Sequence, residues 1–427
     1  MKTKGKKLFF VSIIMIVVIL MISGPFFISY FYLPTQVRIF AGEEHLFNFE
    51  MPFEASFKSD VTKLQLEDAN HKPIKDEKVN LSKPFYMTMN DEGNLDVKLS
   101  LGFIPLKTVA VEAVPYEELI PCGAIVGIRV NTDGILVLGV GNFEVEGKNI
   151  SPAKGIIEPG DVILSCNDET LNEKEDLKRA IEKSEGKVIS LKLKRNNEIR
   201  QASLVPVYSP LDDNYKVGLW IRDSIQGIGT ITYVTPETKN FGALGHGITD
   251  SETKKLMPIR EGNVVGANIT QIKKGSKGQP GEISGIIDYE KEVYGEVVDN
   301  TPLGIFGTLN KNFTDTLTFS PMPIALQDKV HEGKASILAD LTQEGPTLYE
   351  VEIQKVSKYS NAPSKGMVIK ITDEKLLALT SGIVQGMSGS PIIQDGQLVG
   401  AVTHVFIQDP TRGYGIFIEN MINNDKR

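Results

Sequence analysis

The chain has 427 residues with 46 Lys+Arg against 54 Asp+Glu, a net charge of −8, and is 41% hydrophobic and 23% charged. At ~100–200 residues per domain this is two to four domains of ordinary globular composition, and the acidic balance argues against phosphate-backbone binding, so no nucleic acid partner is expected. The two cysteines and five histidines show no CxxC or HxxH spacing. A disulfide scaffold is therefore excluded, and neither a metal site nor a cofactor is expected, although one Cys122–Cys166 bridge stays open.

Lys2, Lys4, Lys6 and Lys7 precede an apolar run from Leu8 to Ile22, and no charge returns before Arg38. Extended through Phe26, Phe27, Ile28 and Phe31, the run exceeds the ~20 residues that a bilayer core requires. Pro25 follows the small pair Ser23-Gly24 and no A-x-A pattern is present, which favours an uncleaved membrane anchor over a cleaved signal peptide. Residues 1–36 then form a basic cytoplasmic tip and anchor, and the remainder is exported.

Residues 37–116 read as a small β domain. Phe47, Phe49, Met51 and Phe53 alternate with polar residues, and so do Leu95, Val97, Leu99, Leu101 and Phe103, the period of half-buried strands. Residues 117–207 carry the run Ser151-Pro152-Ala153-Lys154-Gly155-Ile156-Ile157-Glu158-Pro159-Gly160-Asp161-Val162-Ile163, a helical face at Leu177, Ala180 and Ile181, and a last strand through Ile189, Leu191 and Leu193, turned at Asn196-Asn197. This stretch resembles a PDZ domain of the bacterial protease type. The resemblance implies β-augmentation by a peptide ligand, with backbone N–H groups around Val126, Gly127 and Ile128 as the carboxylate-binding loop.

Residues 208–427 are Gly-rich and strand-rich, and they hold the candidate chemistry. In Gly386-Met387-Ser388-Gly389-Ser390-Pro391 a serine sits on a tight turn, followed by Ile392-Ile393 and a hairpin at Asp395-Gly396. A nucleophilic serine requires an exposed Oγ and N–H groups aimed at the developing oxyanion, and glycine at both flanks permits that backbone. The pattern resembles trypsin-like serine proteases of the two-barrel type. That resemblance implies an oxyanion hole from the N–H groups of Gly386 and Ser388. His246, flanked by Gly245 and Gly247, is the candidate general base. For the group that orients the imidazole, Asp373 is favoured and Asp250 is the competitor. Ser390 is a fallback nucleophile, and His404, in an apolar strand, reads as structural.

Taken together, "FGALGHGITD", "VVGANITQIKKGSKGQPGEISG" and "SGIVQGMSGSPIIQDGQLVGAVTHVF" resemble the stage IV sporulation protein B peptidase family over nearly the whole chain. The fold class is then mainly β: anchor helix, small β domain, PDZ domain, and a chymotrypsin-like β-barrel serine peptidase. The resemblance implies a serine endopeptidase made in the forespore, anchored in its inner membrane, with its catalytic part between forespore and mother cell. It would cleave itself and a membrane-embedded regulatory protein, releasing an intramembrane protease that processes the late mother-cell sigma factor precursor. The implied partners are those protein substrates, a peptide ligand of the PDZ domain and the membrane. The implied catalytic residues are Ser388, His246 and Asp373. A general exported quality-control protease and a non-catalytic PDZ scaffold are the competing readings.

Overall fold

The computed structural model describes residues 33–57, 64–75, 78–287, 293–358 and 362–425, together with Met15, Ser23 and Gly24. The expected anchor therefore lies outside the described residues, apart from those three. Among the described residues no helix is long and apolar enough to cross a membrane. The chain divides into two compact units, Met1–Glu117 and Glu118–Arg427.

In the first unit a five-stranded sheet and a three-stranded sheet bury Phe47, Phe57, Phe85, Val97 and Val111. Of the two alternating runs found in the sequence, the second forms a strand, whereas the first contributes only Phe47 to one. The first ends at Phe47, because Glu50 takes the left-handed conformation (φ 53°), and pairing resumes only at Glu54–Phe57. The second turns at Gly102 (φ 59°), which leaves Phe103 at 95% exposure on a hairpin tip.

The second unit contains two β-barrels of six strands each. The first comprises β1 (Ile125–Val140), β2 (Leu219–Val234), β3 (Asn240–Ala243), β4 (Ile259–Val265), β5 (Val293–Thr301) and β6 (Gly304–Leu309). Pairing runs β1-β2-β3-β6-β5-β4 and returns to β1. The second comprises β7 (Gly333–Ala339), β8 (Thr347–Val356), β9 (Met367–Ile371), β10 (Pro391–Gln394), β11 (Gln397–Phe406) and β12 (Asp409–Phe417), closed in the order β7-β8-β9-β12-β11-β10. Both barrels thus have the same strand order. Their cores are separate, one around Val130, Ile231, Phe241 and Ile305, the other around Ile337, Ile353, Ile369 and Phe417.

The PDZ domain lies between β1 and β2, and both strands extend into its sheet. The first half of β1 pairs with β4 inside the barrel, while its far end, from Ile135, pairs with the PDZ strand Val162–Cys166. The head of β2, after residue 207, completes the PDZ sheet against Leu136–Val140. Both are sixteen-residue strands that serve two cores: β1 buries Val126, Ile128 and Val130 in the barrel and Ile135 and Val137 in the PDZ interior. The PDZ interior matches the sequence pattern: α1 (Lys174–Lys183) buries Leu177 and Ile181, and Ile189, Leu191 and Leu193 are 0–1% exposed.

One ion pair fixes that interior. The Arg195 guanidinium places Nε and Nη2 each 2.7 Å from an oxygen of Asp161, which is 1% exposed and also accepts the Glu158 N–H. Asp161→Ala leaves this guanidinium without its fork partner, so the PDZ region should lose ~3–5 kcal/mol. Urea titration followed by the fluorescence of Trp220 checks this; a loss under ~1 kcal/mol would show a solvent-screened pair instead.

Candidate active site

The serine turn is built by alternating burial. After α2 (Glu374–Thr380) the chain passes Val384–Gln385 and enters the turn with Gly386 at φ 105° and Gly389 at φ 97°. Met387 is fully buried in the second-barrel core and Ser390 is fully buried too, leaving Ser388 half-buried at the surface between them. The Ser390 hydroxyl is enclosed with no partner among the described residues, so it is not a reachable nucleophile. Pro391 opens β10 and Asp395-Gly396 closes the hairpin, both as the sequence implies.

The first barrel holds this turn. The Thr230 N–H of β2 donates to the Ser388 carbonyl at 3.2 Å, Thr230 Oγ1 donates to Gly386 O at 2.8 Å, and Thr232 Oγ1 donates to Gly389 O at 2.8 Å. The approach is so close that a Cβ on Gly389 would lie 2.1 Å from Thr230 O. The turn that carries the expected oxyanion donors, Gly386 and Ser388, is thereby fixed across the seam between barrels.

The histidine comes from the same seam. β3 ends at Ala243, and Leu244 and Gly245, both at φ 67°, turn the chain so that His246 is half-buried. His246 Nδ1 lies 3.1 Å from Gly247 O, and its ring centroid is 5.1 Å from that of His404. Ser388 Oγ donates to Thr403 O at 2.7 Å. Hydroxyl and imidazole therefore converge on the consecutive pair Thr403-His404 without bonding to each other, a resting arrangement in which catalytic hydrogen bonds are not yet formed. His404, expected to be structural, instead stands against His246. Burial pushes the His246 imidazole below its ordinary value, opposed by the Gly247 carbonyl. Desolvation, followed by the charges of His246 and Lys365, takes His404 down to about 4.

No carboxylate bonds His246 among the described residues. Asp373 is the N-cap of α2: Oδ1 accepts the Leu376 N–H at 2.9 Å and Oδ2 accepts the Glu350 N–H at 3.3 Å. Its position is explained by helix capping rather than by imidazole orientation. Asp250 is fully buried, yet it faces Arg222 Nη1 at 2.5 Å and caps the turn through the N–H groups of Glu252 and Thr253. What does fix the histidine loop is Asn300, at the end of β5. Its Oδ1 accepts the Ile248 N–H at 2.8 Å, and its Nδ2 donates to Ile248 O and Met257 O at 2.9 Å. Asp299-Asn300-Thr301-Pro302 reads as an ordinary turn, so no sequence signal marks this clamp.

The expected carboxylate-binding loop is also corrected. Gly127 and Ile128 pair with β2 on one side and β4 on the other, and Val126 pairs with β2, so their backbone lies inside the barrel wall. A cavity of about 440 Å³ lies elsewhere, between α1 and the head of β2, and it is lined by Leu177, Ile181, Val217, Leu219, Trp220 and Ile221. Gly218, at φ 71°, turns the chain into it, and Trp220 is 68% exposed there. Over 219–222 the strand pairs, among the described residues, only with β1, which leaves one edge open toward the helix.

Two substitutions separate capping and positioning from chemistry. Asp373→Asn keeps a capping oxygen and should retain near wild-type peptidase activity, whereas Asp373→Ala should cost ~1 kcal/mol of stability. A fall of ~10⁴ in kcat for Asp373→Asn would instead make it the orienting carboxylate. Thr230→Val removes the bond to Gly386 O and should lower kcat by ~10-fold or less, the worth of one hydrogen bond, with KM little changed. Steady-state kinetics on a peptide substrate check both; an unchanged kcat for Thr230→Val would show that the turn holds itself.

Known proteins bear on this geometry. Residues 213–422 match the family model described as SpoIVB peptidase S55, and residues 126–205 match a PDZ domain model. A Clostridium acetobutylicum protein described as a zinc metalloprotease is 32% identical over 110 residues, which is 26% of this chain; the chain spans 31% of that relative's length. Among solved structures, the PDZ domain of an SdrC-like protein from Listeria monocytogenes is similar at 17% identity over 22% of this chain and 90% of that one (TM-score 0.18). The Rv3671c protease of M. tuberculosis, in an inactive form, is similar at 15% identity over 46% and 81% (TM-score 0.26). The peptidase match holds every strand of both barrels except β1, which falls in the PDZ match, so the chain carries a peptidase domain of the SpoIVB family together with a PDZ domain.

Proposed function

We propose that this serine peptidase acts in sporulation, cleaving itself and a membrane-embedded regulatory protein in the space between forespore and mother cell. That cleavage would release the intramembrane protease that processes the late mother-cell sigma factor precursor. Family membership supports this reading, and the basic tip with its apolar run supports an anchor in the forespore inner membrane, which would raise the local concentration of membrane substrates. The groove between α1 and β2 would take a peptide as an added strand on the open edge of β2.

The observation that carries the chemistry is the convergence of Ser388 Oγ and His246 on Thr403-His404. The Ser388 side chain turns from Thr403 O toward the imidazole. His246 takes the proton as Oγ attacks the peptide carbonyl, and the N–H groups of Gly386 and Ser388 hold the oxyanion. His246 then returns the proton to the leaving amine, and water resolves the acyl-enzyme. With no carboxylate on the imidazole among the described residues, His246 orientation rests on Gly247 O and on the packing of His404.

Two measurements test this reading. Expressed side by side, wild type should shorten itself past the anchor while Ser388→Ala stays full length, as read by N-terminal mapping; identical shortening of both would contradict it. A general base works deprotonated, and burial lowers the His246 pKa below its ordinary 6.5. The acid limb of kcat/KM should therefore have its midpoint below 6.5, with activity lost as pH falls through it. A midpoint above that value would mean a carboxylate reaches the imidazole in the working enzyme.

A further inference from the structure

The peptide groove and the catalytic seam lie at opposite ends of one strand, and the point where that strand leaves the PDZ sheet is tied to the histidine loop. The β1–β2 ladder is interrupted there: Leu136 pairs with Arg222, Asn131 pairs with Ser224, and the four intervening residues of β1 bulge out opposite Asp223. The register of β2 therefore breaks at Arg222-Asp223, where Thr132 Oγ1 donates to Asp223 O at 3.0 Å. Both side chains at this joint are engaged. Asp223 Oδ2 accepts the N–H of Lys174, the first residue of α1, at 2.9 Å, which ties the far wall of the groove to the same strand. Arg222 Nη1 reaches Asp250 Oδ2 at 2.5 Å, and its Nη2 lies 3.9 Å from Glu252 Oε1. Asp250 is fully buried, four residues beyond His246, and its other oxygen shapes the 250–253 turn. Trp220, two residues before Arg222, lines the groove.

We infer that Arg222 is a positioning residue that transmits occupancy of the groove to the His246 loop through its buried ion pair with Asp250. A peptide added to the open edge of β2 must bond to residues 219–222 and fit against α1. It therefore selects one setting of the joint, and the Arg222–Asp250 pair carries that setting to the loop bearing the base. At the other end of the strand, Thr230 carries it to the nucleophile turn. This rests on the peptidase reading of Ser388 and the peptide reading of the groove. Coupling of this kind is reciprocal, so filling the active site must also change the groove.

The chain has a single tryptophan, and it is the groove residue Trp220, so the test requires no identified peptide. The full chain is labelled at Ser388 with phenylmethylsulfonyl fluoride, and the emission and acrylamide quenching of Trp220 are compared before and after. Labelling of wild type should shift both. The shift should be lost in Arg222→Met and retained in reduced form in Arg222→Lys, which keeps the charge. Arg222→Met alone leaves Asp250 charged and buried, so the double variant Arg222→Met/Asp250→Asn is read with it and should also show no shift. An unshifted labelled wild type, or a full shift in either variant lacking Arg222, would overturn the inference. The mass gain at Ser388 is read on the same sample, so a serine that does not react is told apart from a groove that does not respond.

Discussion

The molecule is organised by the strand Leu219–Val234. Its head is an open edge beside a helix, its middle pairs with β1, and its tail both closes the first barrel against β3 and hydrogen-bonds the turn that carries Ser388. A strand rises ~3.3 Å per residue, so the ten steps from Trp220 to Thr230 span at most ~33 Å. Neither end can be set without the other. The peptidase site is assembled between two barrels, and the tail of this strand is what registers one against the other.

That seam explains the character of the proposed catalytic residues. The nucleophile turn is rooted in the second barrel by Met387 and held from the first by Thr230 and Thr232. The histidine leaves the first barrel at Leu244-Gly245 and leans on His404 of the second. Each group is supported by the barrel it did not come from. The bond from Ser388 Oγ to Thr403 O satisfies the hydroxyl, and in the proposed mechanism a substrate would draw it toward the imidazole. In place of a carboxylate, the histidine loop is clamped by Asn300 and, further along, by the Arg222–Asp250 pair.

What could be read in advance was what local chemistry dictates. Glycines at 386 and 389 with Pro391 require a tight turn before a strand, and that turn is where Ser388 stands. Alternation through Ile189, Leu191 and Leu193, the apolar face of α1 and the Asn196-Asn197 hairpin set the PDZ core. What could not be read was long-range. A strand that serves two cores looks the same as one that serves a single core, so Val126, Gly127 and Ile128 passed for a ligand loop, while the strand that lines the cavity beside α1 lay beyond residue 207. Asp373 followed by Glu374 and an apolar run carries a helix N-cap signature, and capping is the role its oxygens take. Thr230, Arg222 and Asn300 act across 28 to 156 residues of chain, at separations where residue type alone reveals no partner.

The central claim is that a histidine from one barrel and a serine from the other form a single catalytic unit. A double-mutant cycle of His246→Ala and Ser388→Ala on the hydrolysis of one peptide substrate tests it most directly. If the two act together, the double variant is no slower than the slower single variant, because removing either already removes the unit. Losses that multiply would show two independent contributions and contradict the account.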